Sequence, residues 1–181
     1  MRSPRSPQKS HAGSWRAVRT QLGTFHVATV DGCIVHSALP ETSRERFLHE
    51  LSVRFRSVAF AERQSEPVLE AAAIQLDEYA RGKRQDFDVP LRPDGTAFQR
   101  AVWHALAAIP YGEVRTYAEV ARYVGKPAAF RAVGQANHRN PVAPFIPCHR
   151  VIASHGGLGG YGGGLVLKRR MLALEGVVLE G

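Results

Sequence analysis

Residues 1–14, MRSPRSPQKSHAGS, show no apolar period and are broken by Pro4 and Pro7, so a disordered basic arm is expected there. From 23 to 39, GTFHVATVDGCIVHSAL places two β-prone runs on either side of Asp31-Gly32, a two-residue hairpin signal, and predicts the start of an antiparallel sheet. The period changes over 65–83. There Val68, Ala72, Leu76 and Tyr79 share one face of a predicted helix, with Ser65 as cap candidate and Gly82 near the stop. DFDVPLRPDG, 86–95, carries two prolines and a glycine and reads as a linker.

Helical spacing dominates after the linker. Phe98, Val102, Leu106 and Ile109 recur behind a capping Thr96, and Pro110 and Gly112 end that run. In TYAEVARYVG, Thr116 and Glu119 stand at capping-box spacing and Gly125 supplies the terminal position. Pro127 then opens PAAFRAVGQANHR as a first-turn proline. Two short helices about two residues apart fit either a helix-turn-helix or a helical hairpin of the core. On the second helix Phe130 and Val133 are expected to face inward, while Ala128, Arg131, Gln135 and His138 share the other side. The whole reads as an α+β chain: a basic arm (1–14), an N-terminal α+β domain (15–85), a linker (86–95) and a mostly helical C-terminal domain (96–181).

Length and apolar content suit one large domain or two small ones. No apolar run is long enough to span a bilayer and no signal-peptide core opens the chain, so a soluble cytoplasmic protein with no membrane partner is expected. The net charge of +8 is unevenly placed. Residues 1–20 hold five cations and no acid, and 115–150 hold six cations against Glu119 alone. The second stretch favours a nucleic-acid partner, although a solvated cationic face has the same composition. The two cysteines, Cys33 and Cys148, form no disulfide framework or zinc pattern and are expected reduced.

Cys33 beside the hairpin turn reads as a small hydrophobe. Cys148 keeps different company, with Pro144 and Pro147 stiffening the backbone, His149 following it and Arg150 adding charge. A thiol is only a few per cent ionised at neutral pH, so a nucleophilic role needs a base or local positive charge. Neighbours on an extended segment point apart, so His149 requires a turn or a bridging water to serve. Glu175 ends the helix LVLKRRMLALEG, where a carboxylate opposes the helix dipole. It is either an ordinary surface glutamate or a partner that orients a histidine. HGGLGGYGGG, 155–164, lacks the features of a phosphate loop and suits close backbone approach to a flat ligand, or a floppy surface loop.

RAVGQANHRNP, IPCHRV, GGYGGG and the terminal LEG together resemble the methylated-DNA-protein-cysteine methyltransferases, the O6-alkylguanine-DNA alkyltransferase family. The likeness is dense from about 96 to 176 and weaker, though consistent in element order, from 15 to 85. It implies a winged helix-turn-helix in the C-terminal domain and an irreversible, once-only transfer from O6-alkylguanine in duplex DNA to the Cys148 thiol after base flipping, and it leaves O4-alkylthymine open as a second substrate. It implies His149 as base through a water, Glu175 as its orienting partner, Tyr117 as donor to a guanine ring nitrogen and Asn140 as holder of the turn around the cysteine. Arg131 is implied to fill the stack left by the flipped nucleotide, with Ala128, Ala129, Gln135, Thr116 and Arg115 completing the DNA contact. Tyr161, Gly162, Gly163, Val151 and Pro144 are implied to form the base pocket. No cofactor is implied. The expected partner is double-stranded DNA containing alkylated guanine, met by a monomer, with assembly along DNA left open.

Gly162 stands where some family members have serine, so any contact from that position to the guanine oxygen falls to a backbone N–H. Some relatives hold a structural zinc in the N-terminal half; here His26, Cys33 and His36 are the only candidates, and no metal is expected. Three other functions fit parts of the pattern: an alkylguanine-binding module without transfer, a redox-sensing winged-helix regulator and a cysteine hydrolase. Retention of Cys148 argues against the first. Neither of the others requires the Asn-Pro element, Tyr117 and the terminal glutamate together, and a sensor usually has a resolving thiol nearby.

Overall fold

The computed structural model describes residues 11–154 and 156–178, so residues 1–10 of the expected arm lie outside it. Strand β1, His11–Thr20, starts within the stretch expected to be disordered. Pairing on both sides draws it in. It runs antiparallel to β2, Gly23–Val30, and its first five residues run parallel to β4, Val58–Glu62. The hairpin to β3, Cys33–Ala38, forms at the expected dipeptide, with Asp31 and Gly32 at φ of 51° and 70°, the left-handed pair such a turn demands. The sheet order is β3-β2-β1-β4; the antiparallel expectation holds for β1 to β3, and β4 makes the sheet mixed.

Helix α1, Arg44–Arg54, links β3 to β4 and is capped by the Ser43 side chain. The apolar pattern predicts neither α1 nor β4, because α1 buries only Phe47 and Leu51 and β4 has no fully buried position. Phe47 and Leu51 pack with Trp15, Ala28 and Ala38 on one side of the sheet. The other side carries helix α2, Pro67–Ala80. Its cap is Glu66 rather than Ser65, since Pro67 takes the first helical position; the Glu66 carboxylate instead accepts from Thr29 Oγ1 at 2.7 Å.

The segment 86–95 is irregular, as expected, but it is fixed along the edge of β3. Ile34 N donates to Pro90 O and Arg92 N to Ile34 O, each at 2.8 Å, and Val89 is buried. The second half follows with α3, Ala97–Ala107, the short β5, Arg115–Thr116, and α4, Tyr117–Tyr123. The expected capping box forms at Thr116 with Glu119, and the expected cap at Thr96 proves to be a full box completed by Gln99. A 3-10 turn, Pro127–Ala129, leads into α5, Phe130–His138. A second turn, Cys148–Arg150, leads into β6, Val151–Ile152, which pairs parallel with β5. Helix α6, Gly164–Leu174, closes the fold. Phe130 corrects one expectation. It is exposed, with the Arg131 guanidinium 5.6 Å from its ring, and the inward side of α5 is formed by Val133, Ala136 and Asn137. Among the described residues, one large core joins the α2 face of the sheet to α3, α5, α6 and Cys148. No described helix is long and apolar enough to cross a membrane.

Candidate active site

Cys148 begins a tight turn between two clamps. Asn140 donates through Nδ2 to Ile146 O at 2.7 Å and accepts from Val142 N at 3.1 Å, holding the Asn-Pro loop against the Pro-Cys segment. Arg150 N then donates to Pro147 O at 3.0 Å and closes the turn. Three residues per turn splay successive side chains, so sulfur and imidazole diverge while both stay buried. Asn137, which sequence reasoning missed, braces the same turn by donating Nδ2 to Cys148 O at 3.3 Å.

Behind the thiol lies a buried charged cluster. His149 Nε2 is 2.7 Å from Glu175 Oε1, and Arg150 Nε donates to Glu175 Oε2 at 2.8 Å. Tyr79 Oη donates to Glu175 Oε1 at 2.7 Å and lies 3.2 Å from His149 Nε2. The compensation that a carboxylate at this helix end requires is thus supplied by three side chains. Burial raises the Glu175 carboxyl, but the bonds and charges of His149, Arg150 and Tyr79 outweigh it and hold the group down at about 2. Burial lowers His149, and Arg150 and Lys168 push the same way, against the pull of Glu175. We therefore assign a neutral imidazole that donates from Nε2 to Glu175, leaving a lone pair on Nδ1. That Nδ1 is buried and has no hydrogen-bond partner among the described residues.

Burial also raises the Cys148 thiol, offset in part by the Asn140 side chain, the Lys168 charge and the Tyr161 hydroxyl. Lys168 is fully buried, and its ammonium donates to Val151 O and Leu158 O, which ties β6 to the Gly-rich loop. Desolvation lowers it to about 8. No local signal marks Lys168, a lysine in a helix rich in basic residues, or Tyr79, a core position of α2.

Cys148 lies in the wall of an open cavity of about 690 Å³. Tyr117, Arg131, Gln135, Asn140, Tyr161 and Gly162 share that wall. The Tyr117 hydroxyl reaches Gly160 O at 3.4 Å, and at Gly159, φ 65°, a Cβ would press on the Tyr117 ring at 3.0 Å. Three expected pocket residues lie outside this lining: Val151 and Pro144 are buried in the packing behind it, and Gly163 is wedged between Leu39 and Leu167. Thr116 spends its hydroxyl on the α4 cap, Arg115 pairs with Glu113 at 2.7 Å, and Ala128 and Ala129 lie on the 3-10 turn before α5. Of the three zinc candidates, His26 and His36 stack on Phe47, and His36 Nε2 meets Glu50 at 3.2 Å. Among the described residues no group of three or more potential ligands comes together.

A thiol at a cavity wall, backed by an imidazole and a carboxylate, defines the class of proteins that use their own cysteine as a nucleophile. Comparison with known proteins narrows the class. Residues 97–177 match the family described as 6-O-methylguanine DNA methyltransferase, DNA binding domain. A methylated-DNA--protein-cysteine methyltransferase of Methanosarcina barkeri is 59% identical over 104 residues, covering 58% of this chain and 66% of the relative. Its namesake in Methanosarcina acetivorans is 52% identical over 113 residues, covering 62% and 72%. The crystal structure of Mycobacterium tuberculosis OGT in complex with DNA superimposes with a TM-score of 0.77 at 38% identity, covering 90% of this chain and 92% of that one. The chain belongs to the methylated-DNA-protein-cysteine methyltransferase family.

Proposed function

We propose that the protein repairs DNA by accepting, once per molecule, the alkyl group of an O6-alkylguanine on Cys148 Sγ. One observation carries this reading: a family cysteine sits at a cavity wall with the buried His149 and Glu175 hydrogen-bonded to each other at 2.7 Å behind it. The thiol proton passes through a bridging water to the free Nδ1 of His149, and the sulfur attacks the alkyl carbon. An S–C bond forms, the C–O6 bond breaks, and its electron pair leaves with the purine. Tyr117 donates to a ring nitrogen and stabilises that developing anion, which takes up a proton to become ordinary guanine. Sulfur keeps the group as a thioether, so the thiol is spent.

Duplex DNA is the expected partner, in keeping with the Mycobacterium tuberculosis relative solved in complex with DNA. A base inside the stack cannot reach the cavity, so the nucleotide is extruded, at a cost of about a few kcal/mol. Arg131 fills the gap it leaves, a role supported by its exposure near the start of α5 and its position in the cavity lining. Incubation with duplex DNA carrying O6-methylguanine is expected to add one methyl group to the peptide containing Cys148, in equimolar yield, and Cys148→Ser is expected to bind the lesion without transfer. Repaired guanine beside an unmodified protein would refute the stoichiometric mechanism.

A further inference from the structure

The cavity has a wall that the mechanism leaves unused. On α1, Arg46, Glu50 and Arg54 are spaced four apart, share one helix face, and all three line the cavity. α5 contributes Arg131, Gln135 and His138 to the same cavity, and Arg139 follows at its C-terminal cap, so helices from the two halves of the chain bound one space with Cys148 in its wall. The charge is one-sided. Glu50 is the only carboxylate in the lining, and it is held by Arg46 at 3.0 Å and His36 at 3.2 Å. Among the described residues, Arg54, Arg131 and Arg139 form no ion pair; Arg54 donates only to the Asp94 carbonyl, at 2.6 Å. Arg46 and Arg54 are both exposed.

We propose that α1 is a second DNA-contacting helix, with Arg46 and Arg54 engaging backbone phosphates of the strand that carries the extruded nucleotide, opposite the contacts of α5. The inference rests on the DNA-repair reading above. Eight positions along the helix separate the two arginines, or roughly 12 Å at 1.5 Å per residue. A duplex strand presents a phosphate about every 3.4 Å along its axis, so the two arginines can hold phosphates a few nucleotides apart. A guanidinium fork suits phosphate oxygens, and an extended run of cations beside an open cavity suits a polyanion better than a small anion. Glu50, paired with Arg46 Nε at 3.0 Å, ties that side chain to the helix at the cavity wall.

The test is a salt series of duplex affinities for the full chain, its Arg54→Gln variant and the Arg46→Gln/Arg54→Gln double variant. Each lost phosphate contact reduces the slope of log affinity against log salt by about 0.9, so the double variant is expected to lose roughly twice that, with affinity falling about tenfold or more at low salt. Arg54→Lys is expected to restore most of the slope. Alkyl transfer from the free O6-alkylguanine base gives the reference rate for each variant. Wild-type slope in the double variant overturns the proposal, as does lower affinity with an unchanged slope. A wild-type protein that takes no alkyl group from either duplex or free base overturns the repair reading instead. Melting temperatures check the fold, and if the double variant does not fold, Arg54→Gln alone decides.

Discussion

Glu175 is the hub of the buried polar cluster next to Cys148. It is buried, ionised, and bonded to His149, Arg150 and Tyr79. Replacing it by Gln leaves the Arg150 charge buried without its counter-ion, and unpairing a buried ion costs about 3–5 kcal/mol. Glu175→Gln is therefore expected to lower stability by that order at neutral pH, measured by denaturant unfolding, and to slow transfer to Cys148. The pH dependence has a definite sign. A carboxyl held at about 2 in the fold, against an ordinary 4.5, contributes stability that is complete above 4.5 and is lost as pH falls through about 2. The gap between wild type and Glu175→Gln should narrow over that window. At this scale the sequence exposes Cys148, His149 and Glu175, because each follows from its immediate neighbours or from the end of a helix. Tyr79 and Lys168 escape it because their partners lie far along the chain: Tyr79 meets Glu175 across 96 positions, and the Lys168 ammonium is fixed by carbonyls that no pattern announces.

Helix α4 shows how an element serves the cavity. Thr116 accepts from Glu119 N at 3.2 Å and donates to the Glu119 carboxylate at 2.8 Å, which fixes the first turn of the helix on which Tyr117 stands. Losing such a cap costs about 1 kcal/mol, and Thr116→Ala is expected to lower the melting temperature by about 2–4 °C in a chain of this size. Calorimetry with a parallel transfer assay checks both consequences; an unchanged melting temperature would show that tertiary packing alone places Tyr117. Capping boxes and the Asp31-Gly32 turn are legible because they are local. Helix α1 is not, since its two buried side chains make too narrow a stripe to register as a period. Strand β4 pairs in parallel with a strand nearly fifty residues earlier, a partnership local sequence does not encode. Phe130 misleads for a related reason: it has the spacing of an inward residue, but its place in the first turn of α5 puts it beyond the packing.

Across the whole molecule the two halves share one core. Leu69 and Leu76 of α2 belong to the same buried cluster as Val102 and Trp103 of α3 and Val133 of α5. Leu76→Ala is expected to cost about 2–5 kcal/mol and to leave a single unfolding transition, seen together by probes in each half. Two separated transitions would show that the halves are independent. Ser37 adds a direct stitch: its backbone N donates to Pro141 O at 2.7 Å and its hydroxyl to Ala143 O at 2.6 Å, in the loop that leads to the cysteine. The seam has a practical corollary for anyone wishing to trim the chain to a minimal reagent. A fragment starting near residue 96 would retain sulfur, imidazole and carboxylate, yet forfeit the phenol that Tyr79 lends to Glu175 and the brace that Ser37 gives the proline loop. What looks like a dispensable N-terminal appendage is one jaw of the vice that grips the reactive centre.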